Sequence, residues 1–225
     1  MDLLISVGLA SVAVLFLEVL RLKVWQPRWA LRELSFSTSV RWLAIRAILA
    51  VLIAVGISMW WGEPFAAVTL GSVSWLGLVA TETDLIGRRI PREPCWTVLV
   101  FGIVGGALSG SIAGAGSFIF AFIAIGFILF LLALITKGGL GSGDVRLFLA
   151  MSTLAWWIGA VPMISGLLIA SIVQAVIRVV LMLSKRGSKY MPFGPALSLG
   201  ALSAAVLWPP ASGGSCAEWF GLLPC

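Results

Sequence analysis

The stretch that decides the fold is residues 42–81, which read WLAIRAILAVLIAVGISMWWGEPFAAVTLGSVSWLGLVAT. The charged side chains within it are Arg46 and Glu63 alone. About 20 apolar residues are enough to cross a bilayer as a helix. This run is long enough for two crossings, and the turn-forming residues Trp61-Gly-Glu-Pro64 divide it. We therefore predict two membrane helices joined by a short turn.

The rest of the chain has the same apolar character. Hydrophobic residues make up 60% of the 225 residues, charged residues make up 11%, and the mean hydropathy is +1.11. A soluble domain has about 25% charged residues, so this composition excludes a soluble globular domain and a disordered chain. The sequence has no histidine, and its three cysteines form no C-x-x-C pair. These absences exclude histidine-dependent catalysis and argue against a zinc site, so we expect neither a metal nor another cofactor.

The apolar runs define the predicted fold class, an all-α polytopic integral membrane bundle of about eight transmembrane helices. Two of the runs are interrupted, at Gly110–Ser117 and at Gly159–Pro162. The sixth helix, about Val145–Ile158, and the eighth are the shortest. The eight candidates are Leu3–Leu20, the two halves of 42–81, the two halves of Cys95–Thr136, the two halves of Val145–Ser184, and Ala196–Trp208.

The basic residues indicate how these helices are oriented. All 15 lysines and arginines lie in or beside the connections between spans one and two, three and four, five and six, and seven and eight. Cytoplasmic loops of membrane proteins are enriched in Lys and Arg. We therefore expect these four connections in the cytoplasm and both termini outside. The positive charge is divided among loops rather than gathered in one patch, so the expected partner is the lipid bilayer and not a nucleic acid.

Two aspartates fall at the same predicted membrane face. Taken singly, Asp84 could pair with Arg88 or Arg89, and Asp144 could cap a helix that begins at Val145. Taken together they suggest chemistry, because two nearby carboxyls cannot both ionise cheaply. The charged one can take a proton from water while the neutral one polarises a carbonyl, which is the equipment for peptide hydrolysis without histidine or metal.

The residues around these aspartates resemble the three signatures of the prepilin peptidase family, which are membrane-embedded aspartic proteases. The signatures are Asp84-Leu-x-x-x-x-Ile-Pro91, Gly141-Ser-Gly-Asp-Val-Arg-Leu147 and Pro192-Phe-Gly-Pro195. The resemblance covers about residues 65–208. It implies that Asp84 and Asp144 are the catalytic pair. It also implies a bacterial inner-membrane enzyme that cuts the leader from type IV prepilins or pseudopilins at the cytoplasmic face.

The resemblance also assigns supporting roles and domain limits. Support of the active site is expected from Gly141, Gly143, Ile90, Pro91 and Arg146, and a structural role at the entry of span eight from Pro192, Phe193, Gly194 and Pro195. The expected domains are two N-terminal helices with a basic loop (1–64), a six-helix peptidase core (65–208) and an outer tail (209–225). The other carboxylates near this face, Glu82 and Glu93, carry no motif and are expected to contribute far less.

The sequence also departs from the long form of the family. That form has a cytoplasmic region with paired C-x-x-C motifs, associated with N-methylation of the mature pilin, whereas the connection Arg21–Arg41 is short and free of cysteine. Arg92 stands where the family often has Asn, and Arg146 where it commonly has Lys. We expect a peptidase-only form, as in Flp-type pilus systems.

Other interpretations stay open at this point. Eight spans would also suit a transporter or a presenilin-like aspartic protease, although a presenilin-like site places its first aspartate after a tyrosine and Asp84 follows Thr83. In the outer tail, Cys216 and Cys225 could form a disulfide or remain two free thiols. Glu18 lies one helical turn before Arg21 and is expected to pair with it. An oligomer is possible, and the sequence does not decide it.

Overall fold

The computed structural model describes residues 2–21, 40–61, 63–87, 90–135, 141–183 and 194–208. Within these ranges the secondary structure is helical and contains no strand. The helices are α1 (Asp2–Leu20), α2 (Val40–Trp61), α3 (Ala66–Gly87), α4 (Arg92–Leu108), α5 (Ile112–Ile135), α6 (Ser142–Met151), α7 (Ala155–Ile158), α8 (Ala160–Leu183) and α9 (Gly194–Leu207).

The predicted fold class, an all-α membrane protein, is confirmed. Three helical segments are long and apolar enough to cross a membrane, namely Leu3–Leu20, Ala44–Trp61 and Ile112–Leu131. Two shorter apolar segments are Ala160–Val176 and Pro195–Leu207. Helices occupy all eight predicted segments, and two of the predicted interruptions contain glycines with positive φ, Gly110 at 68° and Gly159 at 86°. Glycine adopts this conformation without steric cost, so both turns were readable from the sequence.

The sixth segment differs from its prediction at both its start and its middle. It begins at Ser142 rather than Val145, and a 3-10 turn at Ser152–Leu154 separates α6 from the single turn α7. The Ser152 hydroxyl donates to the Leu149 carbonyl at 2.7 Å, and the Thr153 hydroxyl donates to the Ala150 carbonyl at 2.9 Å. Hydroxyls that bond backward in this way tend to bend a helix.

Helix α3 lies in the middle of the bundle. Every residue from Ala66 to Gly77 is buried, and the helix packs against α1, α2, α4 and α9. Its polar side chains therefore face protein rather than lipid. The Trp157 indole donates to the Thr69 hydroxyl at 3.1 Å, and that hydroxyl donates to the Gly102 carbonyl at 3.4 Å. These contacts join α3 to α4 and α7.

Glycines let the outer helices approach closely. The indole of Trp156 lies against Gly106 of α4 and Gly114 of α5, where an added Cβ would overlap the ring. Gly166 of α8 and Gly200 of α9 face each other, because an added Cβ at either would meet the carbonyl of the other at 2.8 Å. Such close contacts are the main source of helix association in lipid, where apolar burial alone favours no partner.

We predict that Gly106→Ala destabilises the bundle by about 1–3 kcal/mol, because the new methyl group would overlap the ring of Trp156. The matched control is Gly116→Ala on α5, where no atom lies within 4 Å of the new Cβ. The measurement is the thermal unfolding temperature of each purified variant in the same detergent. Equal unfolding temperatures for the two variants would contradict the packing described here.

Candidate active site

Three helix ends meet at one end of the bundle, which we call the aspartate end. Asp84 lies in the last turn of α3, and its side chain is 8% exposed. Further along the chain, Pro91 is the N-cap of α4 in an extended conformation (φ −64°, ψ 143°). Proline suits the start of a helix because its fixed φ fits there and its missing N–H is not needed. The Ile90-Pro91 pair thus ends the connection and sets the direction of α4.

Asp144 occupies the first turn of α6. The N-cap is Gly141 (φ −67°, ψ 136°), so Asp144 is the third helical residue. Its carboxylate accepts a hydrogen bond from the Gly141 backbone amide, as a carboxylate at this position does in a capping box. The prediction that Asp144 is itself the N-cap was wrong, because the helix starts at Ser142. The hydrogen bond from the Gly141 amide holds the carboxylate at the start of α6.

The two motifs are in direct contact through Gly143. An added Cβ at Gly143 would lie 3.0 Å from the Ile90 Cβ and 3.4 Å from the Ile90 carbonyl oxygen. An added Cβ at Gly141 would lie 3.0 Å from Oδ2 of Asp144. The glycines of Gly-x-Gly-Asp therefore have separate tasks: Gly143 lets α6 approach the start of α4, and Gly141 leaves room for the carboxylate.

The structure brings Asp84 and Asp144 together, although they are 60 positions apart. Burial raises the pKa of Asp144 to about 6, and the charge on Asp84 adds to the increase, whereas the hydrogen bond from Gly141 opposes it. Asp144 lies in the first turn of α6, and α6 is not among the described helices that are long and apolar enough to cross a membrane. Below about pH 6 Asp144 is mostly neutral beside Asp84, so the pair can provide one proton donor and one proton acceptor.

The remaining site candidates are arranged around this pair. Arg146 donates from Nη2 to the Ser142 hydroxyl at 3.2 Å, one turn earlier on α6. Pro195 lies in the first turn of α9, while Pro192, Phe193, Arg88, Arg89, Cys216 and Cys225 lie outside the described residues. The expected disulfide and the alternative pairing of Asp84 with an arginine therefore stay predictions. Among the residues that the structure describes, no three metal-ligating side chains cluster.

Sequence reasoning missed a group of buried charges beside Asp84, which we call the ion cluster. It consists of Glu18, Arg21, Arg46 and Glu82. The expected pair of Glu18 and Arg21 is confirmed, with 3.4 Å between Oε2 and Nη1. Arg46 bonds both glutamates. Burial is the main cause that lowers the pKa of Arg21, and the nearby positive charge of Arg46 lowers it further. The signal in the sequence was Arg46 itself, since an arginine inside an apolar helix needs a partner.

Comparison with known proteins agrees with these motifs. The profile of the type IV leader peptidase family matches residues 70–179, which contain both aspartates. Over these residues the chain is similar to the type IV leader peptidase family. No solved structure matches the chain.

Curated relatives extend the match beyond the leader peptidase domain. A "Prepilin leader peptidase/N-methyltransferase" from Aeromonas salmonicida is 29% identical over 191 residues, and one from Aeromonas hydrophila is 30% identical over 185 residues. A "Type 4 prepilin-like proteins leader peptide-processing enzyme" from Escherichia coli is 26% identical over 183 residues. Each match covers 78% of this chain, but 58%, 59% and 65% of the respective relative.

We predict that the protonated carboxyl of Asp144 loses half of its infrared carbonyl signal near pH 6. The measurement is a pH titration of the purified protein in lipid bilayers, and Asp144→Asn assigns the signal. In Asp84→Asn the midpoint should fall, because one charge is removed, but it should stay above 3.8 because burial is the larger cause. A midpoint that Asp84→Asn leaves unchanged would show that the two carboxyls do not interact.

The same shift has a consequence for stability. Because folding raises the pKa of Asp144 from 3.8 to about 6, the folded state binds more protons than the unfolded state between these values. The free energy of unfolding should therefore decrease as the pH rises through this window, then level off. Thermal unfolding at several pH values should show this decrease for the native protein, and Asp144→Asn should remove it.

Proposed function

We propose that the protein is a membrane aspartic endopeptidase that removes the leader peptide from type IV prepilins or pseudopilins. The observation that carries this proposal is the pairing of Asp84 with Asp144, each within a family motif. Both residues lie in the matched segment 70–179. The relatives' names support the substrate class, since all three refer to prepilin or prepilin-like leader peptides.

The proposed chemistry uses the different environments of the two carboxyls. Asp84 as the carboxylate takes a proton from water while the water oxygen attacks the peptide carbonyl, and Asp144 gives its proton to the carbonyl oxygen. The carbon–nitrogen bond then breaks as Asp84 passes its proton to the leaving amine. The hydroxyl of the intermediate returns a proton to Asp144, so both carboxyls end in their starting states.

A substrate peptide could approach the site along the start of α6. Gly141 and Ser142 are exposed there, whereas Asp84 is buried. Glycine has no side chain to hold an extended backbone away. The scissile peptide bond would lie at the boundary between the exposed glycine loop and the buried carboxylate.

We further propose that the site faces the cytoplasm and that the protein lacks N-methyltransferase activity. The orientation is supported by the distribution of the 15 basic residues. The second point is supported by the resemblance, because the paired C-x-x-C motifs of the long form are absent from the connection Arg21–Arg41. An Flp-type substrate and the division at residues 64 and 208 belong to the same proposal.

We predict that Asp84→Asn and Asp144→Asn each abolish most leader removal, because asparagine keeps the shape but cannot exchange a proton. The double variant should be little worse than either single one, since residues that act as a unit are not additive. The measurement is the appearance of mature pilin from full-length prepilin in membranes at matched expression. The control is Glu63→Gln, an exposed carboxylate in the turn between α2 and α3.

The activity of the native enzyme should fall as the pH rises above about 6, when Asp144 ionises, and again at low pH when both carboxyls are protonated. Near-normal processing by either asparagine variant would refute the proposed pair. It would leave Asp144 as a capping residue of α6.

We predict that the C-terminus and the connection near Ser188 lie on opposite sides of the membrane. The reason is that the connection near Ser188 carries Lys185, Arg186 and Lys189, whereas the C-terminal tail carries no basic residue. A reporter that works only in the cytoplasm should give a signal when fused near Ser188 but not at the C-terminus. The reverse result would place the aspartate end outside and contradict the proposed cleavage site.

A further inference from the structure

Helices α1 and α2 lie outside the segment that matches the leader peptidase family, yet the ion cluster joins them to Glu82, two residues before Asp84 on α3. We propose that Arg46 and Glu82 are positioning residues for Asp84: Arg46 on α2 holds Glu82, and Glu82 fixes the rotation of the end of α3 so that Asp84 faces Asp144. The effect on cleavage rests on the proposed function, whereas the positioning is measurable without cleavage.

The contacts within the ion cluster connect three helices at one point. Arg46 donates from Nε to Oε1 of Glu18 at 2.6 Å, and its Nη1 bonds Oε2 of Glu82. Arg21 supplies a second link, with Nη1 at 3.4 Å from Glu18 and Nη2 at 3.7 Å from the same Glu82 oxygen. Arg46 is therefore the residue that joins α1, α2 and α3, and it makes the shorter bonds.

The cluster is buried, which makes its geometry specific. Arg21 is 1% exposed and Arg46 is 6% exposed. A charge removed from water is unfavourable unless it is paired with good geometry. The two arginines and two glutamates neutralise each other. Each guanidinium group has both glutamates as partners only while Glu82 keeps its position. A rotation of α3 would leave Arg46 facing an incomplete set of partners.

The position of Glu82 fixes the direction in which Asp84 points, because both residues lie on the same helix. Two residues apart on an α-helix point about 200° from each other, so Glu82 faces α1 and α2 while Asp84 faces the opposite side, where Asp144 lies. Both residues lie within one continuous helix, α3 (Ala66–Gly87). A rotation of α3 that displaces Glu82 therefore rotates Asp84 by the same angle.

A matched pair of double variants tests this proposal. Glu18→Gln with Arg46→Met removes one charge of each sign and cuts the link from α2 to Glu82. Glu18→Gln with Arg21→Met also removes one charge of each sign but leaves Arg46 bonded to Glu82. Both variants keep the cluster neutral, so a difference between them reports the loss of the Arg46–Glu82 bond and not a change of net charge.

The first readout is the titration of Asp144 by infrared spectroscopy in lipid bilayers. The variant with Arg46→Met should lower the midpoint toward that of Asp84→Asn, because Asp84 no longer faces Asp144. The variant with Arg21→Met should keep the native midpoint. This measurement needs no substrate, so it decides the positioning even if prepilin is not cleaved. Equal midpoints for the two variants would overturn the inference.

The second readout is turnover of prepilin per folded molecule. The variant with Arg46→Met should lose about tenfold or more in kcat with little change in KM, since small displacements of a reacting group are costly, and the variant with Arg21→Met should stay near the native rate. If the cluster only stabilised the fold, both variants would lower the unfolding temperature and keep kcat. That outcome would reject the positioning role, whereas native activity of Asp84→Asn would reject the proposed function instead.

A conservative variant covers the case in which the Arg46→Met protein does not accumulate. Arg46→Lys keeps the charge, but one ammonium cannot reproduce the two-sided fork of a guanidinium. It should lower the Asp144 midpoint and kcat in the same direction by smaller amounts. A native midpoint and native kcat in Arg46→Lys would overturn the proposal.

Discussion

Helix α3 is surrounded by protein for most of its length and still carries two carboxylates at its end, and the rest of the bundle is arranged around this constraint. On one side Glu82 contacts the arginines of the first two helices. On the other, Asp84 interacts with Asp144. Charges at the end of a buried helix are costly unless each has a partner, so the elements that pack on α3 also supply those partners.

Close contacts at glycine residues also hold the helices of the bundle together. Apolar side chains gain little by leaving lipid for protein, so helices in a membrane associate through shape and polar contacts. The contact of Gly143 with Ile90 joins two motifs that are more than 50 positions apart in the chain. Gly106 and Gly114 accommodate Trp156 in the same way. Among the described residues, several glycines thus lie where helices approach closely, whereas Gly110 and Gly159 have a positive φ.

The elements were predictable, and their exact starts were less so. The apolar runs placed eight helical segments correctly because twenty apolar residues between turn-forming residues have few alternatives. The start of α6 was placed three residues too late, since glycine and serine are poor helix formers and their helical state at residues 142–143 depends on packing against Ile90. For the same reason the alternative of Asp144 as the N-cap does not hold, although its bond to the Gly141 amide does stabilise the helix start.

From the sequence alone it followed that this is a helical membrane protein, and the motifs predict that Asp84 and Asp144 are the catalytic pair. These conclusions follow from local quantities: apolar length, charge distribution and the spacing of residues in a motif. The bond between Arg46 and Glu82, two residues before Asp84, was visible only in the folded structure, since it joins positions 36 apart. An ion pair depends on where two helices meet and on how little water remains there. Neither property can be derived from the spacing of the residues in the sequence.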